Sequence, residues 1–129
     1  MRVKEIVKKA VTITEDHTLK EAAKLMAKHG IGCLVVVSGD DLIGIVTERD
    51  VLKQASNDIN SLDKPVKDFM STDIITIESN IRLSDAAEIM SKHKIKKLPV
   101  LEKGKLLGII TSTDLISNSE DFGGFSLFD

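Results

Sequence analysis

Apolar and polar positions change period along the first half of the chain. Residues 11–14 form a short, largely apolar stretch, and apolar side chains then recur at Leu19, Ala22, Ala23 and Met26. Spacings of i, i+3, i+4 and i+7 place these four side chains on one face of an α-helix. The pattern therefore predicts a short strand followed by an amphipathic helix.

Signals for the ends of elements divide the rest of this segment. Thr18 and Glu21 have the spacing of a capping box, and Gly30 is suited to end the helix. The apolar runs CLVVV and LIGIVT, separated by the turn sequence SGDD, predict a hairpin of two strands. A second helix is predicted to begin near Glu48, so the unit reads β-α-β-β-α.

The second half of the chain repeats this pattern at a constant offset of 64 residues. Residues 11–52 align without a gap on residues 75–116, and LIGIVTERDVL returns as LLGIITSTDLI. Further upstream, VKEIV is echoed by VKDFM, and residues 95–101 with the turn EKGK make the second hairpin. Neither half, at about 60 residues, can bury much core alone. We therefore expect an α/β fold of two repeats packed about a pseudo-twofold axis.

The repeat also sets the expected domain boundaries. Residues 1–60 hold the first repeat with an N-terminal segment, residues 61–118 the second, and residues 119–129 a C-terminal tail. The tail carries three of the four phenylalanines around a glycine pair. It is interpreted either as a chain end whose phenyl rings cover an apolar edge, or as a strip that docks a partner or a second copy.

Composition argues against several classes of protein. Hydrophobic residues make up 42% of the 129 residues, yet no apolar run approaches the ~20 residues that span a bilayer. A single cysteine, Cys33, excludes an intrachain disulfide, and we expect a cytoplasmic protein. The net charge of −2 and the lack of Trp and Tyr argue against nucleic acid, despite the basic residues 92–105. We find no metal-ligand spacing and no catalytic constellation, so an enzyme is not expected.

The most specific repeated motif is Gly-x-x-Thr-x-x-Asp at a predicted junction of strand and helix. Its Thr and Asp have the spacing of an N-cap with an acid at N3, which starts a helix and binds nothing. The same junction offers a glycine where a ligand can approach the backbone, free helix amides for an anion, and a carboxylate for a ribose diol. From these residues alone, both interpretations stay open. The motif residues are Gly44, Thr47 and Asp50 in the first repeat and Gly108, Thr111 and Asp114 in the second.

The tandem units, the sequences VKDFM and KIKKLPV, the Ala-Ala helix and both Gly-x-x-Thr-x-x-Asp motifs together resemble a pair of cystathionine β-synthase (CBS) domains, a Bateman module. The resemblance covers residues 1–118. It implies two clefts that take an adenosine ligand such as AMP, ADP, ATP or S-adenosylmethionine, with no cofactor required. It also implies a regulatory module, expected to form a homodimer and to act on an unidentified partner protein. The alternative is a ligand-independent module for dimerisation or protein interaction.

By this resemblance, one cleft is built around Asp50, which holds the ribose hydroxyls while Thr47 faces the phosphates. Lys96 and Lys97 imply that this cleft prefers phosphorylated ligands, although the same lysines suit a solvated surface. Arg49 adds charge either to this cleft or to a dimer contact. The residues assigned to this cleft are Thr47, Arg49, Asp50, Ile75, Ile95, Lys96 and Lys97.

The other cleft is built by the same resemblance around Asp114, with Thr111 and Thr113 facing the phosphates. It lacks the lysine pair, so we expect it to bind weakly, to favour a ligand without phosphate, or to stay empty. Cys33 is interpreted as a small core or cleft residue. The residues assigned to this cleft are Val11, Ile31, Gly32, Cys33, Thr111, Thr113 and Asp114.

Overall fold

A computed structural model describes residues 1–118, and the predicted tail, residues 119–129, lies outside the described residues. The described residues form two compact units, each containing one three-stranded sheet and two α-helices. This architecture confirms the predicted α/β fold of two β-α-β-β-α repeats.

The first repeat follows the predicted order of elements. The elements are β1 (Thr12–Thr14), α1 (Leu19–His29), β2 (Cys33–Ser38), β3 (Asp41–Thr47) and α2 (Glu48–Asn57). The sheet has the order β1-β2-β3, with β1 parallel to β2 and β2 antiparallel to β3. Helix α1 connects the parallel pair, and α2 follows β3 without an intervening loop.

The second repeat has the same topology. Its elements are β4 (Ile77–Glu78), α3 (Leu83–His93), β5 (Lys97–Glu102), β6 (Lys105–Thr111) and α4 (Ser112–Ser117). The sheet order is β4-β5-β6. Strand β5 begins two residues after the predicted start at residue 95, because the Ile95 N–H donates to the Met90 carbonyl and so completes the end of α3.

The predicted signals at the ends of α1 are confirmed. The Glu21 N–H donates to Thr18 Oγ1 and the Thr18 N–H donates to Glu21 Oε1, both at 3.1 Å. The backbone hydrogen bond from Thr18 lowers the pKa of the Glu21 carboxyl below its ordinary value. Gly30 ends the helix in the left-handed region at φ 63°. At the equivalent end of α3, Lys94 adopts nearly the same conformation at φ 55°.

Each unit buries its own hydrophobic core, formed by the apolar face of the long helix and the inner face of the sheet. The first core contains Ile13, Leu19, Ala22, Met26, Leu34, Val36, Val46 and Val66. The second contains Val3, Ile77, Leu83, Ala86, Ala87, Met90, Leu98, Val100, Ile110 and Leu115.

The two echoed segments pack into units that do not follow chain order. Val3 lies in the core with the second sheet, whereas Val66 lies in the core with the first. Among the described residues, one compact unit accordingly joins Met1–Ala10 to residues 75–118, and the other is Val11–Ile74. The boundary predicted at residue 60 follows the repeats in the sequence instead, and places the N-terminal segment with the first repeat.

Candidate functional site

Thr47 and Asp50 meet at the start of α2 as a capping box. The Asp50 N–H donates to Thr47 Oγ1 at 3.2 Å, and the Thr47 N–H donates to Asp50 Oδ2 at 2.8 Å. The helix-starting interpretation of this motif is therefore confirmed. Within Val11–Ile74 these contacts use only one carboxylate oxygen, so Oδ1 of the partly buried Asp50 has no hydrogen-bond donor from its own unit.

Thr111 and Asp114 form the same box at the start of α4, with one addition. Asp114 Oδ2 accepts from the Thr111 N–H at 2.9 Å and from Thr111 Oγ1 at 3.0 Å. Its other oxygen, Oδ1, lies 2.5 Å from the ammonium nitrogen of Lys8. The Asp114 side chain is only 7% exposed, whereas that of Lys8 is 67% exposed. Both oxygens of this carboxylate are therefore occupied by donors from its own unit.

The charge state of Asp114 follows from these neighbours. Burial by itself raises the pKa of the carboxyl. Hydrogen bonds from Lys8 and Thr111 outweigh burial and lower the pKa of Asp114 below its ordinary value of 3.8. The group is consequently a carboxylate at neutral pH, paired with the ammonium of Lys8.

The motif glycines make room for the chain itself. A β-carbon on Gly44 would lie 2.5 Å from Sδ of Met70, and one on Gly108 would overlap the carbonyl oxygen of Lys8. The prediction that these glycines leave the backbone open to a ligand was wrong. The space at Gly108 is filled by Lys8, which precedes the first repeat, and the space at Gly44 is filled by Met70, which precedes the second.

Lys8 and Ser71 are structurally equivalent. Lys8 exchanges two backbone hydrogen bonds with Ile109, at 3.0 and 2.8 Å, and Ser71 exchanges two with Ile45, at 2.8 and 2.9 Å. Sequence reasoning missed Lys8 as a site residue. A signal was present, since aligning VKEIV on VKDFM places this lysine opposite a serine.

Several residues predicted for the cleft of Asp114 lie near the start of α2. Cys33 pairs with Thr47 across the sheet, and the Gly32 carbonyl accepts from the Glu48 N–H at 2.9 Å. Cys33 is buried and free. Val11 and Ile31 are partly buried against the first core.

Residues predicted for the cleft of Asp50 surround the start of α4 in the same way. Lys97 pairs with Thr111 across the sheet, and the Lys96 carbonyl accepts from the Ser112 N–H at 2.8 Å. Ile75 and Ile95 pack against the second core.

The remaining predicted site residues lie in the first turns of these helices. Arg49 is exposed in α2, and the carbonyl of Thr113 accepts from Ser117 Oγ at 3.0 Å within α4. The grouping of residues from the two units into shared clefts stays a prediction.

A surface groove separates the end of the long helix from the start of the following helix in each unit. The volumes are about 490 Å³ in the first unit and about 320 Å³ in the second. Neither Asp50 nor Asp114 lines these grooves. Ala23, Met26, Ala27, Gly30, Ile31, Gly32, Glu48, Val51 and Leu52 line the first, and Met90, Ser91, Lys94, Ile95, Lys96, Ser112 and Ile116 line the second.

Residues 1–118 lack two further kinds of structure, a membrane-spanning helix and a cluster of metal ligands. No helix in this part of the chain combines the length and apolar character needed to cross a membrane. The same residues contain no group of three or more His, Cys, Asp or Glu side chains placed to hold a metal ion.

Comparison with known proteins defines the class to which this fold belongs. The family described as CBS domain matches residues 3–57 and 66–121, so the chain belongs to the CBS domain family. The CBS domain-containing protein YhcV of Bacillus subtilis is 34% identical over 107 residues, which cover 83% of this chain and 76% of that protein. These matches confirm the resemblance drawn from the repeated motifs.

Two other relatives show the same module in different settings. The inosine-5′-monophosphate dehydrogenase of Korarchaeum cryptofilum is 39% identical over 111 residues, 85% of this chain but only 22% of that enzyme. The solved CBS domain pair of protein MJ0100, in complex with 5′-methylthioadenosine and S-adenosyl-L-methionine, is 32% identical with a TM-score of 0.77. That alignment covers 96% of this chain and 97% of the solved one.

Proposed function

We propose that this chain is a regulatory module that binds an adenosine ligand and passes on its presence through contacts with a second copy or a partner protein. The single observation that carries the proposal is the carboxylate of Asp50, which the capping box holds at a helix start. A ribose diol brings two O–H donors, and the oxygen Oδ1 of Asp50, which has no donor within its own unit, can accept from them. The first amides of α2 suit a phosphate, with the hydroxyl of Thr47 beside them.

The proposed ligand class is an adenosine compound, with AMP, ADP, ATP and S-adenosylmethionine as the candidates. Support comes from the related CBS pair of protein MJ0100, which was solved with two adenosine compounds. The proposal assigns binding rather than catalysis to the module, needs no cofactor, and places it in the cytoplasm. The free thiol of Cys33 is consistent with a reducing compartment.

Ligand binding must change the contacts of the module for regulation to occur. A ligand shifts an equilibrium between two arrangements only by the difference between its affinities for them. Leu52 and Ile116 occupy equivalent positions beside the two grooves and are 70% and 40% exposed. We propose these apolar side chains as contacts to a second copy or a partner.

Isothermal titration of the purified protein tests the nucleotide proposal. AMP, ADP, ATP and S-adenosylmethionine are titrated separately, and at least one is expected to bind. The same titrations with Asp50→Asn should show weaker binding of that ligand. Flat traces for all four compounds with wild-type protein would remove the adenosine proposal.

The second candidate is a ligand-independent interaction module. The capping box accounts for Thr47 and Asp50 without a ligand, and the exposure of Leu52 favours an interaction surface. Sedimentation with and without each of the four compounds separates the two candidates. A stable oligomer whose mass and partner binding ignore all four compounds supports this second function.

A further inference from the structure

The ion pair between Lys8 and Asp114 has no counterpart within the first unit. Ser71 stands where Lys8 stands, held by the same pair of backbone hydrogen bonds, and Asp50 stands where Asp114 stands. A serine hydroxyl cannot supply the charge of an ammonium group. Within their own units, the two repeats therefore present the same carboxylate in two different states, one paired with a cation and one without such a pair.

We propose that Lys8 closes the Asp114 carboxylate to a ribose diol, so that of the two equivalent positions only Asp50 is ready to bind. The inference rests on the proposed function, since it concerns which carboxylate takes the ligand. A diol needs free acceptor oxygens. At Asp114, Oδ2 already accepts two hydrogen bonds from Thr111, and Oδ1 holds the ammonium of Lys8.

Competition for Oδ1 favours the lysine. Hydrogen bonds between an ammonium and a carboxylate are stronger than those from a neutral hydroxyl, because both partners are charged. A ribose that displaces Lys8 also leaves a carboxylate of 7% exposure without its cation. Ligand binding at Asp114 must offset this loss, whereas binding at Asp50 carries no equivalent loss within its own unit.

The backbone of Lys8 makes this closure a defined feature of the fold. Its N–H and carbonyl are both bonded to Ile109, and its carbonyl packs against Gly108. The side chain thus starts from a fixed point beside β6, the strand that leads into Asp114. Because the lysine side chain remains 67% exposed, the ammonium can still move into solvent when a ligand competes for Oδ1.

The test uses isothermal titration of the full chain with AMP and, separately, with S-adenosylmethionine as probes. Wild type is compared with Lys8→Met, which keeps the apolar stem but removes the charge, and with Ser71→Lys, which installs the lysine beside Asp50. Lys9→Met is the matched control, because Lys9 is the exposed neighbour with the same charge. Lys8→Arg retains a cation and should behave as wild type.

The expected result on wild type and on Lys9→Met is one tight equivalent of probe, with any second equivalent bound more weakly. Lys8→Met should gain a second equivalent, or tighten the weaker site by about fivefold or more. Ser71→Lys should weaken the first site by a similar factor. Thermal unfolding of each variant checks folding, and Lys8→Gln replaces Lys8→Met should the latter fail to fold.

Other outcomes overturn the inference in distinguishable ways. Two equal sites on wild type that are unchanged in Lys8→Met would show that Lys8 does not close Asp114 to the ligand. The proposed function would still hold in that case. A single site that Ser71→Lys does not weaken contradicts the equivalence of the two positions. No binding of either probe to any of these proteins removes the proposed function, and the inference with it.

Discussion

The carbonyl oxygen of Lys8 occupies the space that a β-carbon on Gly108 would need. Two backbone hydrogen bonds between Lys8 and Ile109 hold it there. The glycine of the second motif is thus explained by the passage of the N-terminal segment across β6. The glycine of the first motif, Gly44, faces the side chain of Met70 instead.

This difference predicts unequal effects of alanine at the two glycines. Gly108→Ala should lower the free energy of unfolding by about 1–3 kcal/mol, because the new β-carbon meets backbone that is already hydrogen-bonded. Gly44→Ala should lower it less, since the thioether side chain of Met70 can rotate away. Urea unfolding of both variants measures the difference. Equal losses would contradict the structural distinction.

The ion pair of Lys8 and Asp114 should make stability depend on pH. The pKa of Asp114 in the folded state lies below its ordinary value of 3.8, so the carboxylate contributes to the free energy of unfolding above pH 3.8. This contribution is lost as the pH falls through the pKa of the folded state. Lys8→Met should therefore lower the free energy of unfolding at neutral pH by about 1 kcal/mol, a value discounted for the exposure of the lysine. The difference from wild type should shrink below pH 3.8. Denaturant unfolding across this range measures it, and a difference independent of pH, or one shared by Lys9→Met, would contradict the pairing.

Asp50→Asn should weaken binding of the adenosine ligand roughly tenfold or more, because with the carbonyl oxygen taken by the Thr47 N–H the amide presents an NH2 donor to the two O–H donors of the diol. The remaining carbonyl oxygen can still accept from the Thr47 N–H, so helix α2 should keep its start. Asp85→Asn is the matched control, since Asp85 Oδ2 accepts from the Arg82 N–H at 3.1 Å at the start of α3. Titration calorimetry measures both, and equal weakening by the two variants would point to a general effect of helix capping.

The ends of the two long helices allow a reciprocal exchange. Lys94 holds a left-handed conformation at φ 55°, which costs a side-chain-bearing residue about 1 kcal/mol. Lys94→Gly should therefore raise the free energy of unfolding by about 0.5–1 kcal/mol, and Gly30→Lys should lower it by about 1 kcal/mol. A β-carbon on Gly30 would meet no atom within 4 Å, so this loss is conformational rather than steric. Thermal and urea unfolding measure both, and changes of the same sign would contradict the assignment.

If two copies of the module associate through the first groove, their association should depend on Leu52. Leu52→Glu places a charge on a side chain that is 70% exposed and lines the groove, so it should dissociate a dimer while sparing the fold. Ile59→Glu is the matched control, because Ile59 is 65% exposed and lies outside the groove. Sedimentation velocity measures the mass of each variant. Loss of the dimer in Ile59→Glu alone would place the contact elsewhere.

Local signals predicted most of the secondary structure. The capping box of Thr18 and Glu21, the helix end at Gly30 and the helix start after Thr47 all depend on residues within four positions of one another. Such contacts join residues that are close in the sequence, so spacing alone reveals them. Spacing alone did not predict the late start of β5. The strand begins later because the Ile95 N–H donates to the Met90 carbonyl at the end of α3.

The candidate site was likewise predicted from local spacing only in part. The Thr-x-x-Asp motifs were visible as a repeat, and their capping contacts were among the alternatives predicted. The partner of Asp114 was not predicted, because Lys8 lies more than a hundred positions away in the sequence and reaches it only through the backbone bonds to Ile109. The alignment of VKEIV on VKDFM marks Lys8 as a difference between the repeats, but it does not show that Lys8 contacts Asp114.

The sequence by itself determined the duplication, the order of the elements and the family, because each of these is written in short-range spacing and in the 64-residue offset. Only the tertiary structure decided that Val3 belongs to the second core and Val66 to the first, and that Asp114 is paired with a lysine of its own unit while Asp50 has no such pair within its unit. The physical reason is that long-range packing and charge pairing depend on where the backbone crosses the sheet. That path is set only when residues far apart in the sequence bury their apolar side chains in one core, as Val3 does with Leu98.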